Sequence, residues 1–69
     1  MERIDDELLE KIAKEWPHRA HAVKNAKSAP NDTMRARIER DIAFACSFGS
    51  VKGLTIPEVI KLVKVANGN

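Results

Sequence analysis

The sequence predicts an all-α fold, a compact bundle of three to four short helices in a single domain covering residues 1–69. Three observations lead to this prediction. A chain of 69 residues is long enough for one domain only. Its apolar residues recur mostly at helical spacing, and Pro17, Pro30 and Gly49 separate the segments. There is no tyrosine, and no Asn-Gly turn separates two apolar segments.

The first helix is expected to begin near Asp5 or Asp6, whose carboxylates can accept hydrogen bonds from the free N–H groups of a first turn. Ile4 and Leu9 have the spacing of a hydrophobic staple around that cap. The apolar face at helical spacing consists of Ile4, Leu8, Leu9, Ile12, Ala13 and Trp16. Pro17 ends or kinks this helix because it lacks an N–H donor and restricts the residue before it.

Two helices are predicted in the middle of the chain, separated by a break at Pro30. The second opens at Pro17 and has a weak apolar face of small residues, which must pack closely or lie exposed. The third runs from about Asp32 or Thr33 to Phe48, and Gly49 is its expected C-cap residue. Its predicted apolar stripe contains Met34, Ile38, Ile42 and Ala45, joined in the last turns by Phe44, Cys46 and Phe48.

The final segment has the strongest start signal for a helix in the chain. Thr55 and Glu58 have the spacing of a capping box, and Pro57 stands in the first turn. A strand is the competing interpretation, because valine and isoleucine dominate the segment, and the capping box favours the helix. The charged residues after this start occupy one narrow strip, so most of the helix surface is apolar.

That apolar surface is the first candidate site. Ile56, Val59, Ile60 and Val63 are expected to be the most deeply packed positions of the final helix. Either the helix is central and the other helices surround it, or its outer side meets a second copy of the chain in a homodimer. The homodimer is favoured, because the alanine-rich second helix is a poor cover and a domain this small has a thin margin of stability.

Charge is unevenly distributed along the chain. Residues 1–16 carry a net charge of −3 and residues 17–40 a net charge of +4, although the whole chain carries only +2. This segregation predicts two different electrostatic surfaces, and ordinary solvated helix faces are the alternative interpretation. The candidate partner-binding residues are Asp6, Glu7, Glu10, Arg35, Arg37 and Arg40.

No residue pattern indicates catalysis, a metal site or a cofactor, so an enzyme is not expected. His18 and His21 could face one metal ion, but no third ligand stands at a recognised spacing. Cys46 is the only cysteine, which excludes a disulfide within the chain and fits a reducing, cytoplasmic setting. The N-terminal segment is too charged for a signal peptide, and no apolar run is long enough to span a membrane.

A protein-interaction module is therefore the predicted class. In size and character the chain resembles the small, helical, phage-encoded inhibitor proteins of the anti-quorum-sensing and anti-CRISPR kinds, and the resemblance rests on being short, all-helical and intracellular. It implies an inhibitor or modulator that binds a bacterial regulator, such as a transcription factor. The alternative is a small DNA-binding transcriptional regulator, because the last two helices loosely resemble a helix-turn-helix unit. The departures are a long turn and a second helix without arginine, asparagine or glutamine for base edges.

Overall fold

The computed structural model describes residues 2–47 and 53–68, which contain four α-helices and no strand. The helices are α1 (Asp6–Glu15), α2 (Ala20–Lys27), α3 (Asp32–Ser47) and α4 (Ile56–Ala66). The radius of gyration of 10.7 Å is close to the value of about 11 Å for a compact chain of this length. The all-α prediction is thereby confirmed, and the final segment is a helix, as its capping box indicated.

Local signals explain where α1 begins and ends. Asp5 is the N-cap residue, and its side chain accepts a hydrogen bond from the N–H of Leu8 at 2.8 Å. Trp16 adopts φ −125° and ψ 80°, outside the helical region, because the residue before a proline is disfavoured there. Its N–H still donates to the carbonyl of Ile12 and closes the helix. Both ends of α1 therefore agree with the prediction.

The second helix begins later than predicted. Pro17–Arg19 form a 3₁₀ turn, and the α-helix starts at Ala20. No side chain caps this start, so the tighter turn provides the transition from α1 to α2. The sequence left open whether the weak apolar face of this helix packs closely or lies exposed. Val23 and Ala26 are buried, so close packing applies to them. Ala20 is exposed.

α3 starts where predicted, and Ile42 and Cys46 of its predicted stripe are buried, but the buried face is turned from that stripe. Its first turn is capped by Asn31, whose Oδ1 accepts a hydrogen bond from the N–H of Met34 at 2.8 Å. The predicted stripe is partly wrong, because Met34 and Phe44 are exposed and Ile38 is only half-buried. The buried residues of α3 are Glu39, Ile42, Ala43 and Cys46. The predicted end at Phe48 and the cap at Gly49 lie outside the described residues.

The capping box of α4 is confirmed. The N–H of Glu58 donates to Thr55 Oγ1 at 3.4 Å, and the N–H of Thr55 donates to Glu58 Oε1 at 2.8 Å. The two hydrogen bonds give acceptors to two backbone N–H groups that would otherwise have none at the start of the helix. Asn67 is the C-cap residue, and Gly68 follows with φ 78°, a left-handed conformation that glycine adopts without strain.

Each of the four helices contributes to one core, and each packs on its neighbour in the sequence. α3 is central, because it packs extensively against both α2 and α4, while α1 packs against α2. The buried apolar residues are Ile4, Leu8, Leu9, Ile12, Val23, Ala26, Ile42, Ala43, Cys46, Leu62 and Val65. Among the described residues, no helix has both the length and the apolar character needed to cross a membrane.

Candidate functional site

An apolar stripe runs along the outward face of α4. It consists of Ile56, Ile60 and Val63, which keep 77%, 50% and 42% of their surface exposed. Their spacing places them on one side of the helix, one above the other. Leu62 and Val65, on the opposite side, are the residues that α4 buries in the core. The apolar stripe is therefore surplus to the packing of this chain.

The sequence grouped Ile56, Val59, Ile60 and Val63 as either core or dimer contacts. The core alternative is wrong for the three stripe residues within one chain, and Val59 is half-buried. The structure turns α4 relative to the expectation, so that Glu58 and Lys61, two of the charged residues in the predicted narrow strip, are half-buried. The homodimer alternative stays a prediction.

An ion pair and two buried residues accompany the observed rotation of α4. Lys11 Nζ on α1 lies 2.9 Å from both carboxylate oxygens of Glu58. The N–H of Thr55 and the Lys11 ammonium, in that order, hold the pKa of Glu58 below its usual range. Leu62 and Val65 are buried on the core side of α4, and Glu58 contacts α1. The side with Ile56 and Ile60 therefore faces solvent.

A second arrangement, the N-terminal clamp, joins the segment before α1 to α3. It consists of Arg3, Ile4, Arg35 and Glu39. The carboxylate of Glu39 is only 1% exposed, and it accepts hydrogen bonds from Arg3 Nε and the Ile4 N–H at 2.9 Å each. Arg35 Nε donates to it at 2.8 Å and Arg3 Nη2 at 3.1 Å. Four donors thus surround one buried carboxylate.

These donors keep Glu39 ionised. Burial alone would raise the pKa of Glu39, but the hydrogen bonds from Arg3, the Ile4 N–H and Arg35 outweigh it and hold the pKa below its usual range. In the part of the chain that the structure describes, no buried side-chain nitrogen or oxygen lacks a partner. The clamp is therefore electrostatically complete and leaves no buried group to bind a ligand.

The clamp arginines also reach outward. Arg35 Nη2 donates to Asp6 Oδ1 at 2.8 Å and to the carbonyl of Ile4 at 3.2 Å. Arg3 Nη1 donates to Asp32 Oδ2 at 2.9 Å, and this contact lowers the pKa of Asp32. Both arginines therefore serve the fold.

The six charged candidates for partner binding fall into two groups. Asp6 pairs with Arg35, and Glu10 pairs with Lys27 on α2. The acidic start and the basic middle thus lie against each other, so these charges neutralise one another instead of forming two separate surfaces. Glu7, Arg37 and Arg40 are exposed, and none of them forms an ion pair within residues 2–47 and 53–68.

The residues that could bind a metal ion or act as a nucleophile are dispersed. His18 and His21 are both exposed, and the described residues contain no group of three histidine, cysteine or carboxylate side chains suited to a metal ion. Cys46 is buried, and burial raises the pKa of its thiol. The reactive thiolate is therefore disfavoured at neutral pH.

Sequence reasoning missed the partnership of Arg3 and Glu39. The spacing of Arg35 and Glu39, four residues apart on one helix, was a readable signal for an ion pair. Arg3 is 36 residues from Glu39 in the chain, and no local pattern connects them. The burial of Glu39 follows from that distant contact.

Comparison with known proteins identifies no matching family, no matching curated protein and no matching solved structure.

Proposed function

We propose that this chain is a small, cytoplasmic, homodimeric protein-interaction module that acts by binding and not by catalysis. We further propose that it inhibits or modulates a bacterial regulator, such as a transcription factor, in the manner of the phage-encoded inhibitors that it resembles. The observation that carries the proposal is the apolar stripe of Ile56, Ile60 and Val63. An exposed row of large apolar side chains on one helix is a surface that a protein partner covers.

A second copy of the chain is the occupant that fits the stripe best. Ile60 stands midway between Ile56 and Val63, so two α4 helices that cross at Ile60 place each copy's apolar residues against the other's. Covering the exposed parts of the three side chains contributes roughly 3–5 kcal/mol. Part of this gain offsets the loss of translational and rotational freedom on association, and the remainder adds to a fold whose total stability is only about 5 kcal/mol.

The regulator is expected to bind elsewhere, on charges that the fold does not use. Glu7, Arg37 and Arg40 are exposed and form no ion pair among the described residues. Charged groups that lie free on the surface steer a partner and fix its orientation.

The oligomeric state tests the homodimer. Size-exclusion chromatography with light scattering should give the wild-type protein twice the 7.7 kDa mass of one chain at micromolar concentration. Ile60→Glu should give the mass of one chain with an unchanged helical circular-dichroism spectrum, because Ile60 lies outside the core. Asn25→Glu, which adds the same charge at an exposed position of α2, should remain dimeric. A well-folded wild-type monomer contradicts the homodimer.

An affinity purification from a bacterial lysate tests the regulator. We expect one stoichiometric protein to be recovered and to remain bound after nuclease treatment. Recovery that disappears with nuclease and moderate salt contradicts the proposal and favours a nucleic-acid-binding protein.

The helix-turn-helix alternative has one supporting observation, the exposure of Arg37 and Arg40, which could contact phosphates. The outward face of α4, which would have to enter the major groove, presents apolar Ile56, Ile60 and Val63. Such side chains offer no hydrogen bonds to base edges. Protein binding is therefore the better supported proposal.

A further inference from the structure

A cleft of about 230 Å³ lies where the outer side of α3 meets the end of α4. Arg37 and Arg40 line it on α3, and Val65 of α4 and Gly68, which follows α4, close it from the other side. Its remaining lining residues are Glu2, Arg3, Ala36 and Glu39. The cleft thus combines two exposed guanidinium groups with a small apolar floor of Ala36 and Val65.

The positive charges that line this cleft outnumber its negative charges. Glu39 is saturated by its own donors, Arg3, Arg35 and the Ile4 N–H, and so cannot neutralise Arg37 or Arg40. Glu2, which also lines the cleft, is the remaining acid. Three arginines therefore face two glutamates, and the cleft carries a net positive charge.

We propose that this cleft binds the carboxylate of an acidic segment of the partner protein. The inference rests on the proposed function, because it takes the chain to act by binding protein. Arg37 and Arg40 are three residues apart on one helix and are therefore neighbours. Guanidinium groups pair with carboxylates through two parallel hydrogen bonds. The apolar floor accommodates the aliphatic part of a glutamate or aspartate side chain.

A nucleic-acid backbone fits this cleft less well. Affinity for a duplex comes largely from many phosphate contacts, on the order of 6–10 in a typical case, whereas the cleft offers two free arginines. Glu2 at the cleft and the exposed Asp41 beside Arg40 repel a polyanion that extends beyond it. A single carboxylate carries one charge and meets less of this repulsion than an extended polyanion.

The cleft and the apolar stripe are separate surfaces. None of Ile56, Ile60 and Val63 lines the cleft, and α4 contributes to it through Val65, on the side of the helix opposite the stripe. A dimer formed through the stripe therefore leaves both copies of the cleft accessible.

Fluorescence anisotropy with the full chain tests the inference. The probe is a fluorescein-labelled, C-terminally amidated octapeptide of alanine with one central glutamate, and its twin carries glutamine in place of that glutamate. We expect the acidic peptide to bind at least about tenfold more tightly than the twin. The double variant Arg37→Ala/Arg40→Ala should lose that preference, and Arg37→Lys/Arg40→Lys should keep only part of it, because lysine cannot form the two-bond pair.

The matched control is Lys14→Ala/Lys24→Ala, which removes two charges from exposed positions on α1 and α2 and should keep the preference. Equal binding of both peptides, or equal loss in the control, overturns the inference. A 12-base-pair duplex that displaces the peptide and also depends on Arg37 and Arg40 overturns it in favour of phosphate binding. If only the peptide preference is absent while the dimer and the nuclease-resistant partner persist, the cleft assignment fails and the proposed function stands.

Discussion

The N-terminal clamp and the apolar stripe reverse the usual distribution of polar and apolar residues. In the clamp a carboxylate, Glu39, is 1% exposed, while in the stripe Ile56 is 77% exposed. Glu39 lies inside because four donors of the same chain surround it. Ile56 lies outside because no described segment of the chain packs over the outward face of α4.

The difference shows that the clamp is complete in a single chain, whereas the stripe is not. A buried charge is tolerated when its hydrogen bonds are satisfied, and that condition is met within the clamp. An exposed apolar row gains free energy only when another surface covers it. The clamp is therefore a structural feature of the fold, and the stripe is the place to look for function.

The largest effect is expected from Glu39→Ala, which tests whether the clamp stabilises the fold. Removing the carboxylate leaves Arg3, Arg35 and the Ile4 N–H without their shared acceptor, and we expect a loss of about 3–5 kcal/mol in the free energy of unfolding. That approaches the total stability of such a domain. Urea denaturation followed by circular dichroism measures it. Glu7→Ala, at an exposed position, is the control and should change stability by less than about 0.5 kcal/mol. Equal stability of the two variants would show that the clamp is energetically neutral.

The next largest effect on stability distinguishes the buried side of α4 from its exposed side. Leu62→Ala should reduce the free energy of unfolding by about 2–4 kcal/mol at any protein concentration, because Leu62 is 2% exposed in the core. Ile60→Ala should have an effect that grows with protein concentration, since the wild-type dimer is stabilised by mass action. Urea melts at three concentrations distinguish the two patterns. A concentration-independent loss in Ile60→Ala would mean that Ile60 stabilises the single chain instead.

The helix starts could be predicted because their signals are local. Asp5 and Leu8 are three residues apart, as are Thr55 and Glu58, and in both pairs the structure has the expected cap hydrogen bond. A contact within one turn depends little on the rest of the fold. The all-α class followed from the same short-range patterns.

The faces that α3 and α4 bury could not be predicted in this way. They involve contacts between distant residues, such as Arg3 with Glu39 and Lys11 with Glu58, pairs that are 36 and 47 residues apart. Periodicity shows that a helix has an apolar side, but a wide apolar surface such as that of α4 leaves its rotation undetermined. The rotation decides which isoleucines are core and which form the stripe.

A change in pH is expected to have a smaller effect on stability, and that effect tests the contribution of the clamp. Glu39 has a pKa lowered in the folded state, so its stabilisation is fully present above the unfolded pKa of about 4.3. It is lost as the pH falls through the lower folded pKa. Stability should therefore decline in acid below about pH 4, and Glu39→Gln should flatten that decline. Glu7→Gln should retain it. An unchanged acid dependence in Glu39→Gln would assign the decline to Glu58 and Asp32, whose pKa values are also lowered.

The smallest effect concerns the cap that precedes the stripe. Thr55→Ala removes the acceptor for the N–H of Glu58 and leaves that donor open at the start of α4, and we expect a loss of about 1 kcal/mol. Thr55→Ser should restore most of it, because serine caps equally well. Thr33→Ala is the matched control, since Thr33 is exposed in the first turn of α3 and alanine favours a helix. Urea melts of the three variants decide the matter. If Thr55→Ala is no less stable than Thr33→Ala, α4 is held by its core contacts alone, and the start of the stripe at Ile56 does not depend on the cap.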